Sequence, residues 1–438
     1  MRLPFIDRVY EANRPCAIVS AATMPYVRRI PTKSRGPVTG LSSPNEAVTR
    51  PAWGGVLAMT LCVMVLIASE FMPVSLLSPI ARELGLTEGQ TGQAISISGL
   101  FAVIFSLTWH RVLRLMDRRR VMTLMAGLLA LSGTLVACAP DFLTLMVGRA
   151  VLGVAIGGYW SLATAVTLRI LPGPQVAAGM AMTSAGVALA STISAPFGGT
   201  LGEVIGWRWT FFSVVPLALI AMVWQAKALP SLPALGRKRD SLGLMCDKGV
   251  LWGQAALLTF FAGQFMLFTY LRPFLEQITQ VSVPVLSALL LIFGLAGVLG
   301  NVLVRMAPRI GPDRLLVGVP LAMALIAGAL VVWGADLAVV AVLLALWGFA
   351  AAPAPALWGM RLTRARPNDA EALGGMFVAK IQLAIMLGAV LGGLVMDRAG
   401  PLATAGVSAA FLAVATAIAA RGCSVLAHSS SLQHRSSP

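Results

Sequence analysis

Charge is what this 438-residue sequence has least of. Asp, Glu, Lys and Arg make up 11% of it, and 58% is hydrophobic. Soluble domains carry about 25% charged residues, so a water-soluble globular fold is excluded. Acids are the scarcer sign, 17 against 33 bases. Five Cys (Cys16, Cys62, Cys138, Cys246, Cys423) and three His (His110, His428, His434) lie scattered, without metal-site spacing or an evident disulfide pair. A G-x-x-x-x-G-K-[ST] phosphate loop is missing, so no ATP-driven step is encoded here. Nucleophile–base sets are missing too, which argues against an enzyme. No charge ring or filter-like loop suggests a channel. Strand-like alternation is absent from the apolar runs, which leaves helices to cross a bilayer. The net charge of +16 lies between apolar runs and not in a nucleic-acid patch.

What is there is a series of apolar runs of bilayer-spanning length. Twelve spans are expected near 53–79, 92–113, 120–139, 142–169, 176–202, 207–227, 250–273, 283–306, 314–334, 337–361, 371–396 and 402–421. The longest internal polar break, 228–249, is a cytoplasmic loop between two six-helix halves, 51–227 and 250–421. Residues 1–50 carry eight Lys or Arg and no spanning run, and read as a disordered cytoplasmic tail, with Met24 as a second candidate start. Residues 422–438 read as a Ser/His-rich tail.

Basic residues orient the chain. With the N-terminus inside, 27 of 33 Lys and Arg fall in inside segments. Four (Arg82, Arg208, Arg272, Arg398) fall outside, and Arg149 and Lys380 lie within spans. Positive-inside bias therefore places both termini in the cytoplasm. The halves also repeat. Pro73 and Pro273 lie 200 residues apart, Asp117 and Asp313 196, Pro172 and Pro367 195, and Gly198-Gly199 and Gly392-Gly393 194. Parallel six-helix repeats about an axis along the membrane normal hold substrate at the midplane. On the Pro73–Pro273 match, Glu70 has no counterpart in the second half.

Glu70 is the one acid within a span; the others fall in tails or near helix ends. A carboxylate at membrane depth costs roughly 2.5–3.5 kcal/mol on insertion scales and usually faces a protein interior or a water cavity. It is therefore the expected proton-coupling group, unless a nearby base neutralises it for assembly only. Arg149 is the first expected partner and Lys380 the second. Span 4 sets Arg149 above Gly153 and Gly157 on one helical face, and small residues admit a close neighbour. In span 11, Lys380 and Gln382 interrupt FVAKIQLAIM. Span 7 ends GQFMLFTYLRPF, where Tyr270 and Pro273 suggest a broken helix with carbonyls freed toward a cavity. Candidate substrate contacts are Glu70, Tyr159, Trp160, Gln264, Tyr270, Lys380 and Gln382; core packing or interface placement also explains Trp160, and pairing with an acid also explains Lys380.

Three motifs point to one family. HRVLRLMDRRR at 110–120 resembles the G-x-x-x-D-R-x-G-R-R loop of major facilitators through Asp117 and Arg118, with Leu113 and Arg120 in place of the glycines. GRAVLGVAIGG at 148–158 resembles the fourth-helix R-x-x-x-G-x-x-x-G motif. APFGGTLGEVIGWRW at 195–209 resembles the G-P-x-x-G-G element and G-W-R-W turn of proton-driven exporters, with Ala195 for the first Gly. Here Pro196, Gly198 and Gly199 permit a kink and close packing. Stretches such as EFMPVSLLSPIARELGLTEGQTGQ (70–93), KALPSLP (227–233) and AKIQLA (379–384) are similar to exporters of purine ribonucleosides in that family. The resemblance implies the twelve-helix major facilitator fold. It also implies export of inosine, guanosine and analogues in exchange for protons across a bacterial inner membrane. The expected exporter is a monomer driven by a proton gradient, with no cofactor, metal or nucleic acid. Asp117, Arg118, Pro196, Gly198, Gly199 and Pro273 are its expected gating and motif residues. The rivals are an exporter of sugars or unrelated drugs and a non-transporting sensor or assembly protein.

Overall fold

The computed structural model describes residues 52–112, 116–233, 248–365 and 370–435. The tail of residues 1–50 and most of the loop 228–249 lie outside the described residues. In chain order the first half comprises α1 (Trp53–Leu84), α2 (Glu88–Val112), α3 (Arg118–Ala137), α4 (Phe142–Ile170), α5 (Gly173–Val204), α6 (Gly206–Phe212) and α7 (Val214–Ala228). The second comprises α8 (Lys248–Thr269), α9 (Leu271–Phe274), a π turn (Leu275–Thr279), α10 (Val283–Gly300), α11 (Val302–Ile310), α12 (Pro312–Trp333), α13 (Leu337–Ala351), α14 (Ala354–Ala365) and α15 (Ala370–Arg435). Among the described residues there is no strand, and eleven helical stretches are long and apolar enough to cross a membrane. This is an all-α, multi-pass membrane protein.

Scarce acids mark helix starts. Asp117, Asp141 and Asp336 each cap a helix by accepting from backbone N–H groups of its first turn, which satisfies donors that the helix leaves open. The eleventh stretch, Phe377–Gly422, is 46 residues long. At 1.5 Å per residue it would measure about 69 Å, more than twice the hydrocarbon core. Gly400 interrupts it with φ 78° and ψ −176°, a conformation open to glycine alone. The stretches 377–399 and 401–422 on either side are each of spanning length. Beyond them the helix runs on to Arg435, where the sequence suggested only a polar tail.

Each half has its own core. Met59, Leu66, Met122, Leu152 and Tyr159 belong to the first, and Phe260, Phe274, Leu290, Met323 and Trp347 to the second. The largest contacts between the halves are two equivalent crossings, α2 on α15 and α5 on α10. Glycine allows both. A Cβ on Gly99 would lie 3.0 Å from the Gln382 carbonyl, and one on Gly294 2.7 Å from the Thr192 Cα.

The halves are fastened at the base-poor end. Asp397 on α15 accepts from the Gly89 N–H (2.9 Å) and the Thr87 hydroxyl (2.8 Å) at the start of α2. A carboxylate is favoured there by the open donors and the helix dipole. Arg272 donates to the Ser75 carbonyl and to Glu276, and Arg82 pairs with Glu276 at 3.8 Å. The Tyr270 ring fills the space between Gly92 and Gly393. Among the described residues, every hydrogen bond between the halves lies from the Glu70–Gln382 level toward this end.

Charge-assisted hydrogen bonds contribute roughly 1.5–3 kcal/mol each. Asp397→Ala is therefore expected to raise the fraction open at this end by about tenfold or more. Spin labels at Val204 and Leu402, both exposed and on opposite halves, should report a new long-distance population. An unchanged distance distribution would remove the latch.

Candidate functional site

The site starts from two prolines in α1. Pro73 and Pro79 lack an N–H, so the carbonyls of Ser69 and Ser75 lose their helical donors. Two arginines replace them. Arg149 Nη1 donates to the Ser69 carbonyl at 2.7 Å, and Arg272 donates to the Ser75 carbonyl. Arg149 is 1% exposed. Its Nε donates to the Ala94 carbonyl at 2.9 Å, and its Nη2 reaches the Glu70 carbonyl and Ser98 Oγ, both at 3.4 Å. It thus pins α1 and α2 to α4. The glycine face beneath it does the same work by contact, since a Cβ on Gly153 would lie 2.2 Å from the Ser98 carbonyl and one on Gly157 2.4 Å from that of Ala102.

Glu70 is 3% exposed, and its Oε1 accepts from Gln382 Nε2 of α15 at 3.0 Å. Arg149, the first expected partner, lies next to it, with Nη2 at 3.4 Å from the Glu70 backbone carbonyl, but makes no ion pair with the carboxylate itself. The ion pairs within 4.0 Å among the described residues are Arg82–Glu276, Arg208–Glu83, Arg272–Glu276 and Arg361–Asp313, without Glu70. Arg149 directs its donors to carbonyls instead. Lys380 is half-buried, has no ion pair among the described residues, and sits about 200° around α15 from Gln382.

The repeat register also changes. An offset of 194, the one that relates Gly198-Gly199 to Gly392-Gly393, sets Pro79 and not Pro73 against Pro273. It also sets Glu70 against Gln264, Phe71 against Phe265 and Arg82 against Glu276. Glu70 therefore has a counterpart, and that counterpart is a neutral amide. The rings of Phe71 and Phe265 stack across the halves with centroids 6.0 Å apart and planes at 28°. Phe268 stands edge-on to Phe71 at 5.9 Å and stacks with Phe293 at 5.4 Å. Sequence reasoning passed over these four rings; the recurrence of Phe-Met at 71–72 and 265–266 was the available signal.

The other candidates separate. Gln264 is buried, and its Oε1 has no partner among the described residues. Tyr270 breaks span 7 between α8 and α9 as expected, but its hydroxyl donates to the Ala389 carbonyl at 2.8 Å in the closed end. Tyr159 lies wholly inside the first half, where its hydroxyl donates to the Met59 carbonyl at 2.9 Å. Trp160 packs on the same core. Pro273 sits in α9, and Pro196 lies within α5. Gly198 abuts α1 at Ser75, and Gly199 abuts α10 at Ser287. A cleft of about 410 Å³ at the base-poor surface is lined by Arg82, Glu83, Glu203 and Arg272 among others, and does not include Glu70.

Asp117 does not pair across the halves among the described residues. It accepts from the Arg119 N–H (2.8 Å), the Leu232 N–H (3.0 Å) and the Ser231 hydroxyl, while the Arg118 N–H donates to the Leu232 carbonyl (2.9 Å). Desolvation opposes ionisation of its carboxyl, but those donors outweigh it and hold the group below its ordinary value. A carboxyl so depressed stabilises at neutral pH, and that contribution is lost only as pH falls through the lowered value. The GWRW turn is likewise a fastening. Trp207 Nε1 and the Arg208 guanidinium both donate to Glu83, and Arg208 lies 4.2 Å over the Trp207 ring.

Comparison with known proteins agrees with this architecture. The family model described as Major Facilitator Superfamily matches residues 59–379. The chain is 45% identical over 370 residues to the "Transcription regulatory protein OpdE" of Pseudomonas aeruginosa, covering 83% of this chain and 92% of that one. It is 38% identical over 366 residues to the "Purine ribonucleoside efflux pump NepI" of Salmonella typhimurium, covering 82% and 92%. Among solved structures, a bacterial homologue of the human lysosomal transporter Spinster superposes with a TM-score of 0.68 at 16% identity, covering 86% of this chain and 97% of that one. A D-xylose–proton symporter superposes at 0.67 and 15% identity, covering 84% and 97%. At such identities the structures speak for the fold alone.

A double-mutant cycle tests the arginine's structural part. Arg149→Met strands the Ser69 carbonyl, at a cost of about 1–3 kcal/mol for a buried unpaired acceptor. Pro73→Ala returns the helical N–H. The pair of changes is expected to be milder than the sum of its parts by about 1 kcal/mol, read from thermal unfolding in detergent. Strict additivity would show that the two sites are independent.

Proposed function

The chain belongs to the Major Facilitator Superfamily, and from that membership we propose that it is a proton-coupled exporter of purine ribonucleosides such as inosine and guanosine. The observation that carries the reading is the hydrogen bond between Glu70 and Gln382, the one place where a buried carboxylate touches the opposite half among the described residues. The 38% identical relatives named as purine ribonucleoside efflux pumps support the substrate. Twelve crossings, both termini in the cytoplasm and residence in a bacterial inner membrane complete the reading, with the base-poor end outside.

Two six-helix halves fastened at one end support an alternating-access cycle. The latch, Tyr270 and Arg272 close the outer end. A charged Glu70 holds its amide partner more strongly than a neutral one does, because hydrogen bonds to charged groups are about twice as strong. A proton arriving from outside loosens that contact and any contact to substrate, so release outside accompanies proton entry. No cofactor enters this cycle, and one chain holds all of its parts.

A second reading has a specific observation behind it: the 45% identical relative is named as a transcription regulatory protein. A non-transporting sensor on the same fold would carry no flux. Sugar or unrelated drug export is the third.

Proteoliposomes with an imposed pH gradient separate the three. Inosine and guanosine are expected to accumulate against their gradient. Glu70→Gln is expected to lower that accumulation at least about tenfold, leaving residual flux that is the same with and without the gradient. Gradient-driven accumulation by Glu70→Gln would overturn proton coupling through this residue. Flux of sugars alone, or no flux at all, would turn the assignment to the corresponding rival.

A further inference from the structure

We propose that the outer end opens in a set order, the α5–α10 seam first and the α2–α15 seam last. This order needs only the alternating-access cycle proposed above, whatever the substrate. The two seams are related by the repeat offset of 194, and their packing keeps that register. A Cβ on Gly393 of α15 would lie 3.1 Å from Gln93 Nε2 of α2, and one on Gly199 of α5 would lie 3.0 Å from Ser287 Oγ of α10. Gly199 and Gly393 are equivalent positions, and so are Gln93 and Ser287. One helical turn further out, each seam carries an acid: Asp397 on α15 and Glu203 on α5, again 194 residues apart.

The two acids behave differently. Asp397 reaches across its seam to the Gly89 N–H and the Thr87 hydroxyl. No space is left there, since a Cβ on Gly89 would lie 2.4 Å from Asp397 Oδ2 and 2.5 Å from the Gly393 carbonyl. Glu203 is exposed and makes no hydrogen bond or ion pair among the described residues. Val283, the counterpart of Gly89, begins α10, and the Ser282 side chain before it does not cap the helix. At this seam lies the cleft of about 410 Å³, lined by Gly202, Glu203 and Val283 and, toward the centre, by Arg82 and Arg272. Arg272 is the residue that donates to the Ser75 carbonyl across the halves. The α5–α10 seam is thus open from the surface to that central contact. Among the described residues, the hydrogen bond that crosses this seam runs from Thr192 Oγ1 to the Gly294 carbonyl at 3.2 Å, and the same hydroxyl lies closer, at 2.7 Å, to the Ala188 carbonyl of its own helix. Both groups are neutral, whereas a hydrogen bond to a charged acceptor is about twice as strong. The seam without a latch yields first, and Asp397 holds the other until the end.

The repeat supplies matched reporters. Ser75 and Thr269 are equivalent positions, both wholly buried, and Ser75 Oγ would lie 2.7 Å from a Cβ on Gly198 of α5. Ser75→Cys and Thr269→Cys are made singly in a chain whose five native cysteines are replaced by serine. A membrane-impermeant methanethiosulfonate is then added to the outside of spheroplasts. Ser75→Cys is expected to react about tenfold or more faster than Thr269→Cys. Tying the α2–α15 seam with a disulfide between Thr87→Cys and Asp397→Cys is expected to stop labelling at Thr269→Cys and leave that at Ser75→Cys. Tying the α5–α10 seam with a bifunctional maleimide between Glu203→Cys and Val283→Cys is expected to stop both. Equal rates at the two reporters, a faster Thr269→Cys, or loss of both signals on tying α2–α15 alone would overturn the order. If neither reporter reacts until the protein is denatured, the outer end does not open, and the order falls with the cycle. Labelling reads no transport, so failure of nucleoside export leaves this result standing.

Discussion

The guanidinium of Arg149 on the carbonyl that Pro73 leaves open is the contact from which the first half takes its form. Proline in a helix buried in apolar surroundings strands a carbonyl, and no solvent is there to answer it. A buried arginine without partners would be costlier still. Each defect removes the other. The same exchange occurs at Ser75, freed by Pro79, but there the donor is Arg272 of the opposite half. One proline is therefore answered from within the half and one from across it. The first answer is part of the half itself, whereas the second breaks if the halves separate at that end.

This arrangement explains why Glu70 is left to an amide. With Arg149 donating to the Ser69, Glu70 and Ala94 carbonyls, the direct hydrogen bond to the carboxylate falls to Gln382. The repeats set this up by unlike residues at like positions. Glu70 and Gln264 are equivalent, as are Arg82 and Glu276, so duplication supplied the frame and divergence the charge.

Much of this was legible in the sequence. Runs of apolar residues gave the helices, because only hydrogen-bonded helices tolerate that composition in lipid. Gly153 and Gly157 gave a packing face, and Tyr270 gave a broken span. The partner of Glu70 was not legible, since it lies 312 residues away. Nor was the preference of Arg149 for carbonyls, because the need for a donor arises in another helix. The repeat offset was misjudged at Pro73, where a conspicuous residue type outweighed the humbler recurrence of Phe-Met. The aromatic rings went unnoticed because phenylalanine in a membrane span is unremarkable until its neighbour across the interface is known.

The strap around Asp117 has a consequence for how the protein is made. Residues 231–233 lie across the ends of α3 and α4, held by Asp117, the Arg118 N–H and Arg169. Every one of those partners is synthesised before the strap, and none belongs to the second half. As the chain leaves the ribosome, the first six-helix unit can therefore tie off its own exit segment while α8 is still unmade. Multi-part proteins generally fold unit by unit in this order. The knot that the loop motif makes is then a mark of completed assembly, set before there is any second half to move against.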